Sequence, residues 1–164
     1  IDIADKVFVG GALASNFFKE QGLDIGKSLI SPENFNLNRF LNTNKIILPI
    51  DNIKKDNAIM DCGMKTIELL KNEIERAKYI LWNGPLGAYE GGYKASTLEL
   101  AGMIAEANIR GAKTIIGGGD TIATIAELNL EDKFSFVSTG GGAMLDFLAK
   151  ETLPGIEALV KSEV

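Results

Sequence analysis

Residues 114–128, TIIGGGDTIATIAEL, decide the fold class of this chain. A short apolar run, 114–116, ends in three consecutive glycines, and residues 121–128 then continue as a short candidate helix. Because the run is apolar on both faces, it is typical of a strand buried between two layers of helices. The stretch therefore predicts a parallel strand that passes through a glycine turn directly into a helix.

The same succession of strand and helix recurs along most of the chain. Further strands are predicted at 6–9, 45–48, 79–82 and 134–137. Helices are predicted at 12–21, 65–77, 96–108, 121–128 and 143–150. The polar stretches 22–44 and 51–57 are predicted as a short helix with loops and as a loop or irregular β excursion. This order predicts an α/β fold with a doubly wound (Rossmann-like), mostly parallel sheet, in a single three-layer domain over residues 1–164.

Composition and charge argue against several classes of protein. The 164 residues have a net charge of −5 and no long basic run, so no nucleic-acid partner is expected. No apolar run reaches the roughly 18–20 residues of a membrane span, so no membrane partner is expected. Cys62 is the only cysteine, so an internal disulfide is excluded. Histidine is absent, so the commonest general base is missing. We expect a cytoplasmic monomer.

Three of the predicted strands end in glycine clusters, at 10–11, 117–119 and 140–142. Ligands of open α/β sheets bind beyond the carboxyl ends of the strands. Glycine lets a phosphate approach the backbone closely, and the first amides of the following helix attract an anion. The clusters therefore predict a phosphate-binding site, with use as plain tight turns as the alternative.

Two acidic residues near these loops allow two interpretations each. Asp120 is either the N-cap of the following helix or a Mg²⁺ contact beside nucleotide phosphates. Glu90 is either a solvated surface acid or an acceptor for ribose hydroxyls. The dinucleotide fingerprint G-x-G-x-x-G follows none of the strands, which argues against a Rossmann oxidoreductase. Residues 22–28, GLDIGKS, imitate a P-loop, but three residues separate the glycines where that motif needs four.

Several motifs, in matching order and spacing, resemble those of the phosphoglycerate kinase family. Residues 82–90, WNGPLGAYE, resemble its W-N-G-P-x-G-x-F-E segment. Residues 117–121, GGGDT, are similar to its G-G-G-D-[ST] loop, and 138–143, STGGGA, match its S-T-G-G-G-A loop. Residues 60–63, MDCG, and 153–155, LPG, resemble two further family segments. The resemblance covers essentially the whole chain and implies a nucleotide-binding domain.

The resemblance also implies a role for each matched residue. Glu90 would accept hydrogen bonds from the ribose hydroxyls, and Asp120 would bind Mg²⁺. The residues implied around the adenine are Gly10, Gly11, Met60 and Pro85, with Ile59 at the edge of the slot. The residues implied around the phosphates are Asn83, Gly118, Gly119 and Thr121. The residues implied to stabilise the phosphoryl group in transit are Gly119, Gly140, Gly141 and Gly142.

The family transfers a phosphoryl group between 1,3-bisphosphoglycerate and ADP, giving 3-phosphoglycerate and ATP in glycolysis. The resemblance implies that the N-terminal domain, which binds phosphoglycerate, and a lysine segment just upstream are absent from a chain that starts at Ile1. The implied partners are ADP or ATP, Mg²⁺ and that missing domain, and the isolated chain is expected to bind nucleotide without turnover. The alternative function is a stand-alone nucleotide-binding regulatory module.

Four positions depart from the family pattern. Ala12 stands where a third glycine is usual, and Ile59 stands where a glycine is common. Met64 replaces the usual proline, and Tyr89 replaces phenylalanine. Ala12 and Ile59 put the close fit of the adenine slot in doubt, whereas none of the four lies in a phosphate loop. We interpret these departures as divergence within the family.

Overall fold

The chain folds into two compact units in the computed structural model, which describes residues 3–32 and 36–162. The first unit comprises the described part of Ile1–Arg76 together with Pro85–Met103. The second unit comprises Ala77–Gly84 and the described part of Ile104–Val164.

The first unit contains a short parallel pair of strands and an antiparallel hairpin. Its strands are β1 (Val7–Phe8), β2 (Ile46–Ile47), β3 (Asn52–Lys55) and β4 (Ala58–Cys62). Its helices are α1 (Gly11–Glu20), α2 (Asn38–Leu41), α3 (Met64–Arg76) and the part of α4 (Ala95–Ile109) up to Met103. Strand β1 pairs in parallel with β2, and β3 pairs antiparallel with β4. Buried Val9, Phe17 and Leu37 form the core around β1 and α1.

The hairpin between β3 and β4 has a two-residue turn. Asp56 and Asn57 have φ values of 50° and 64°, the conformation that two-residue hairpin turns require. Asn and Asp are the side chains that tolerate positive φ best after glycine. A register shift follows Ile53, so β3 is the irregular β excursion that the sequence predicts at 51–57.

The second unit is built on a parallel sheet with the strand order β5-β6-β7. These strands are β5 (Tyr79–Asn83), β6 (Lys113–Gly117) and β7 (Phe136–Ser138). The helices are α5 (Gly119–Glu127), α6 (Gly142–Lys150) and α7 (Pro154–Ser162), together with the end of α4. Ile116 on β6 and Ile125 on α5 are fully buried and lie in the core of this unit.

The predicted strands and helices are present, with ends shifted by up to two residues. The short helix predicted within 22–44 is α2, although residues 33–35 of that stretch lie outside the described part. Strand β4 and helix α7 were missed, although Pro154 at the first position of α7 is a helix-start signal. Gly111 ends α4: at φ +102°, its amide donates to the Asn108 carbonyl and the Ala112 amide donates to the Ala107 carbonyl.

The α/β prediction with a parallel sheet is confirmed, and the single-domain organisation stays a prediction. Within the described residues, no helix is both long and apolar enough to cross a membrane.

Candidate functional site

Two glycines in the first unit lie against the loop that follows Gly84. Gly10 is the N-cap of α1, and the Gly11 amide donates a hydrogen bond to the Leu86 carbonyl at 3.2 Å. Gly11 has a φ of +58°, and a Cβ atom placed on it would lie 3.2 Å from the Pro85 carbonyl oxygen. A Cβ atom on Gly10 would lie 2.8 Å from Phe8 Cε1. The fold therefore requires glycine at Gly11, whereas a side chain at Gly10 would require Phe8 and Leu86 to move.

The same loop joins the other residues implied around adenosine. The Ala88 amide donates to the Met60 carbonyl at 2.8 Å, which holds the loop against β4. Glu90 is exposed and lies in a single 3₁₀ turn, Tyr89–Gly91, three residues after Gly87. Contacts within the first unit thus bring Gly10, Gly11, Met60 and Pro85 together around one loop.

A hydrogen bond connects Ile59 to the P-loop-like stretch, residues 22–28. The Ser28 hydroxyl donates to the Ile25 carbonyl and accepts a hydrogen bond from the Ile59 amide at 2.8 Å. Ser28 is buried, and both of these hydrogen bonds of its hydroxyl are within the protein, so the hydroxyl has a structural role. The stretch 22–28 is therefore a structural loop.

The second unit brings its predicted residues to one edge of the sheet. Asn83, Gly117 and Ser138 are register partners at the carboxyl ends of β5, β6 and β7. Gly118 follows with a φ of +94° and is the N-cap of α5, and Gly141 follows with a φ of +50° and is the N-cap of α6. The glycine loops therefore emerge side by side, as the parallel-sheet argument predicts.

Helices α5 and α6 begin without any side-chain cap, in contrast to α3. On α3, the Asp51 carboxylate accepts hydrogen bonds from the Lys65 amide at 3.0 Å and the Thr66 amide at 2.8 Å. Partial burial raises the pKa of Asp51, but hydrogen bonds from the Thr66 hydroxyl and from the two amides outweigh it, so the pKa is lowered overall. The first amides of α5 and α6 face no such carboxylate and could donate hydrogen bonds to an external anion.

Steric contacts and backbone conformation require glycine at some positions of the α5 and α6 loops but not at others. A Cβ atom on Gly118 would lie 3.2 Å from Asn83 Oδ1 and 3.3 Å from the Gly84 nitrogen, so its packing and its φ both require glycine. By contrast, a Cβ atom on Gly119 or Gly142, the first residues of α5 and α6, would meet no described atom within 4 Å. Neither has a positive φ. Glycine at these two positions therefore has no steric cause within the fold.

Asn83 carries a further sign of a missing partner. Its Nδ2 atom is buried and has no hydrogen-bond partner among the described residues. A buried donor without a partner costs roughly 1–3 kcal/mol. It lies beside the strand ends, since a Cβ atom on Gly117 would be 3.1 Å from Asn83 Nδ2 and 2.5 Å from Met144 Cε at the start of α6. An acceptor from outside the chain would remove this cost.

Asp120 is not the N-cap of α5, so that interpretation of the sequence is wrong: the N-cap is Gly118. Asp120 is the second residue of the helix, where a carboxylate interacts favourably with the helix dipole, and it is exposed. Among the described residues, no group of three or more acidic, cysteine or histidine side chains could hold a metal ion. Mg²⁺ often binds through one or two carboxylates plus substrate phosphates, so Asp120 beside a phosphate loop fits that ion.

The hydroxyl of Thr121 and the thiol of Cys62 belong to the fold. Thr121 is fully buried, and its Oγ1 accepts a hydrogen bond from the Gly84 amide at 2.8 Å, so its amide is the group left for a phosphate. Burial, followed by the charges of Asp61 and Asp51, raises the pKa of Cys62 to about 12. The buried thiol is therefore no nucleophile at neutral pH.

Sequence reasoning missed two buried or half-buried carboxylates that organise the first unit, Asp51 and Asp61. Each accepts hydrogen bonds from the start of a helix far away in sequence, Asp51 from α3 and Asp61 from α4. Local capping patterns place the cap next to its helix, so no sequence signal identifies a cap of this kind.

The fold and these loops define an α/β protein in which two helices begin at glycine N-caps beside the carboxyl ends of parallel strands. The family model described as phosphoglycerate kinase matches residues 31–151. The chain belongs to the phosphoglycerate kinase family, which confirms the resemblance seen in the motifs.

Relatives and solved structures agree with this assignment. Phosphoglycerate kinase of Macrococcus caseolyticus is 38% identical over 97% of this chain and 46% of its own length. That of Thermosipho africanus is 40% identical over 99% of this chain and 47% of its own length. The phosphoglycerate kinase structure from Coxiella burnetii matches 98% of this chain and 47% of its own, with a TM-score of 0.83 and 34% identity. The chain therefore spans about half the length of the relatives it matches.

Proposed function

We propose that this chain is the nucleotide-binding half of a phosphoglycerate kinase and binds ADP or ATP with Mg²⁺. In the whole enzyme the reaction would be phosphoryl transfer between 1,3-bisphosphoglycerate and ADP, and between ATP and 3-phosphoglycerate in reverse. These 164 residues alone are proposed to bind nucleotide without turnover, because the resemblance assigns phosphoglycerate binding to another domain. The observation that supports this most directly is the unpartnered Asn83 Nδ2 beside the uncapped start of α5.

The phosphates of the nucleotide are proposed to bind to the second unit. Amides at the start of a helix are natural donors to phosphate oxygens, and the helix dipole adds to the attraction. Gly118, Gly119 and the Thr121 amide form such a start, with the Asn83 side chain as an additional donor. The open space around Gly119 would let a phosphate approach the backbone.

The adenosine end is proposed to bind to the first unit. Gly10 and Gly11 would present bare backbone to a flat base, and Pro85 on the loop and Met60 on β4 would add apolar surface. Glu90, exposed on its 3₁₀ turn, would accept hydrogen bonds from the ribose hydroxyls. Ile59 would lie at the edge, with its amide already bound to Ser28.

The proposed chemistry depends on positioning and on charge stabilisation. Asp120 would hold Mg²⁺, which would supply positive charge against the phosphate oxygens. Amides of Gly141 and Gly142 at the start of α6, with that of Gly119 on α5, would donate hydrogen bonds to the phosphoryl oxygens during transfer. The Gly140 amide, which donates to Ser138 Oγ at 3.2 Å, would exchange that partner for a phosphoryl oxygen. No covalent intermediate on the protein is needed, which agrees with a buried and protonated Cys62.

Calorimetric titration with Mg-ADP tests this proposal, using the full chain and Asn83→Leu. Leucine removes a buried donor that has no partner, so the thermal stability should be unchanged or higher. Affinity for Mg-ADP should fall about tenfold or more, because a hydrogen bond to a charged phosphate is worth about 1.5–3 kcal/mol.

Asn52→Leu is the matched control for this substitution. Its Oδ1 is also buried without a hydrogen-bond partner among the described residues, but Asn52 lies on β3 of the first unit. Mg-ADP affinity should therefore stay unchanged in Asn52→Leu. No binding of millimolar Mg-ADP to the unchanged chain, or equal losses in both variants, would contradict the proposal.

A further inference from the structure

The carboxylate of Asp61 connects three segments of the first unit. Asp61 lies on β4 and is only 2% exposed. Its Oδ1 accepts hydrogen bonds from the Cys62 amide at 2.9 Å and from the Ser96 hydroxyl, and its Oδ2 accepts one from the Ser96 amide at 3.3 Å. Ser96 is the second residue of α4, so this carboxylate fixes the start of that helix against β4.

The third segment is the loop that carries Glu90. A Cβ atom placed on Gly87 would lie 2.5 Å from Asp61 Oδ1 and even closer to the Tyr93 carbonyl oxygen. The backbone of the loop therefore packs directly against the carboxylate, at a position where no side chain fits. Two neighbouring hydrogen bonds complete the attachment, one from Ala88 N to Met60 O at 2.8 Å and one from Leu86 N to Thr97 Oγ1 at 3.0 Å.

These contacts determine where Glu90 can lie. Glu90 is exposed on a single 3₁₀ turn that ends at Gly92 in the left-handed conformation, with φ +83°. Such a turn is too short to hold its own shape in water. Its place is therefore set by the attachments on either side, namely the Gly87–Asp61 packing before it and the start of α4 after it.

We propose that Asp61 is a positioning residue for ribose recognition, acting through the loop that presents Glu90. This inference rests on the proposed function. Asp61 does not contact the nucleotide; it holds the loop and the start of α4 in one arrangement. Asparagine cannot replace it, because one of the two oxygens becomes an amide that faces a donor, either the Ser96 amide or the Cys62 amide.

Two nucleotides that differ only in the ribose separate this role from general loss of structure. Mg-ADP and Mg-2′,3′-dideoxy-ADP would be titrated by calorimetry into the full chain, Asp61→Asn, Glu90→Gln and the double variant. The unchanged chain should prefer ADP by about tenfold or more, as expected for hydrogen bonds to a carboxylate. In Asp61→Asn this preference should fall at least about threefold, while dideoxy-ADP affinity stays within about twofold.

The double variant and a matched aspartate complete the test. If Asp61 acts through Glu90, the double variant should show no smaller preference than Glu90→Gln alone, because coupled residues are not additive. Asp51→Asn removes the corresponding carboxylate from the start of α3 and should leave the preference unchanged. A structural weakening of the whole unit would reduce both affinities in both aspartate variants and would overturn the positioning role.

The remaining outcomes are also decisive. If Asp61→Asn shows no cooperative thermal transition, Ser96→Ala takes its place, since it removes one donor to the carboxylate and keeps the amide contact. An unchanged ribose preference in the folded variant overturns the positioning role and leaves nucleotide binding intact. A chain that binds both nucleotides equally overturns ribose recognition by Glu90, whereas a chain that binds neither overturns the proposed function itself.

Discussion

Gly118 and Gly119 are adjacent, yet alanine should change the stability of the fold in opposite directions at the two positions. Gly118 has φ +94° and ψ 136°, a region that costs a residue with a side chain about 1–3 kcal/mol. Its Cβ atom would also meet Asn83 Oδ1, the Gly84 nitrogen and Thr121 Oγ1 at 3.2–3.3 Å. Alanine also makes the unfolded chain less flexible, which offsets about 0.4–1 kcal/mol of this cost. Gly118→Ala should therefore lower the free energy of unfolding by about 2 kcal/mol.

Gly119→Ala is the internal control, because a Cβ atom there meets no described atom within 4 Å and the residue already has helical conformation. Alanine should therefore stabilise the chain by about 0.4–1 kcal/mol. With about 2–4 °C per kcal/mol for a chain of this size, the melting temperature should fall by about 4–8 °C in Gly118→Ala. It should rise by about 1–4 °C in Gly119→Ala, measured by calorimetry or circular dichroism.

Nucleotide binding separates the two effects further. A methyl group on Gly119 would occupy the space through which a phosphate is proposed to approach, so Mg-ADP affinity should fall although the fold becomes more stable. A similar loss of stability in both variants would refute the reasoning from backbone conformation. A more stable Gly119→Ala with unchanged Mg-ADP affinity would refute the reasoning from open space.

Two further predictions concern side chains of the first unit. Asp51→Asn should cost about 1 kcal/mol at pH 7, the usual value of an N-cap. The pKa of Asp51 is lowered in the folded chain, so its stabilising contribution is present above the unfolded pKa of about 3.9. This contribution is lost as the pH falls through the folded pKa. The melting temperatures of the unchanged chain and of Asp51→Asn should therefore converge below about pH 4. Cys62, only 4% exposed and with its pKa raised to about 12, should react with a thiol reagent at pH 8 at least about 100-fold more slowly than free cysteine, and rapid labelling of the folded chain would contradict its burial.

The parallel strands and the glycine loops could be predicted because their signals are local. Residues 114–121 contain the strand, the turn and the helix start within one short stretch, and the structure places β6 and α5 there. The residues implied for adenosine and for the phosphates also lie near one another within their own units. Their roles toward a nucleotide stay predictions.

The remaining features depend on contacts between residues that are distant in sequence. Asp61 lies 35 residues before Ser96, and Asp51 lies 15 before Thr66, so neither resembles a cap from its neighbours. Strand β4 was missed because its residues 58–62 include the polar Asp61, whose carboxylate is buried only through tertiary hydrogen bonds. The unpartnered Asn83 Nδ2 is likewise a property of the folded chain alone.

The helix starts of this chain are of two kinds, and those of α5 and α6 lack a side-chain cap, as do those of α1 and α2. Helices α3 and α4 begin at a carboxylate of the chain itself, so their first amides are already bound. Helices α5 and α6 begin at glycine N-caps without a side-chain cap, and their first residues are glycines that packing does not require. Glycine is itself an acceptable N-cap, so a Ser, Thr, Asp or Asn cap would add only a few tenths of a kcal/mol to each helix. The positive φ values of Gly118 and Gly141 also favour glycine at both N-caps. The open backbone at Gly119 and Gly142, which packing does not require, would let a ligand phosphate approach the first amides, which is why we propose nucleotide phosphates at these two helices.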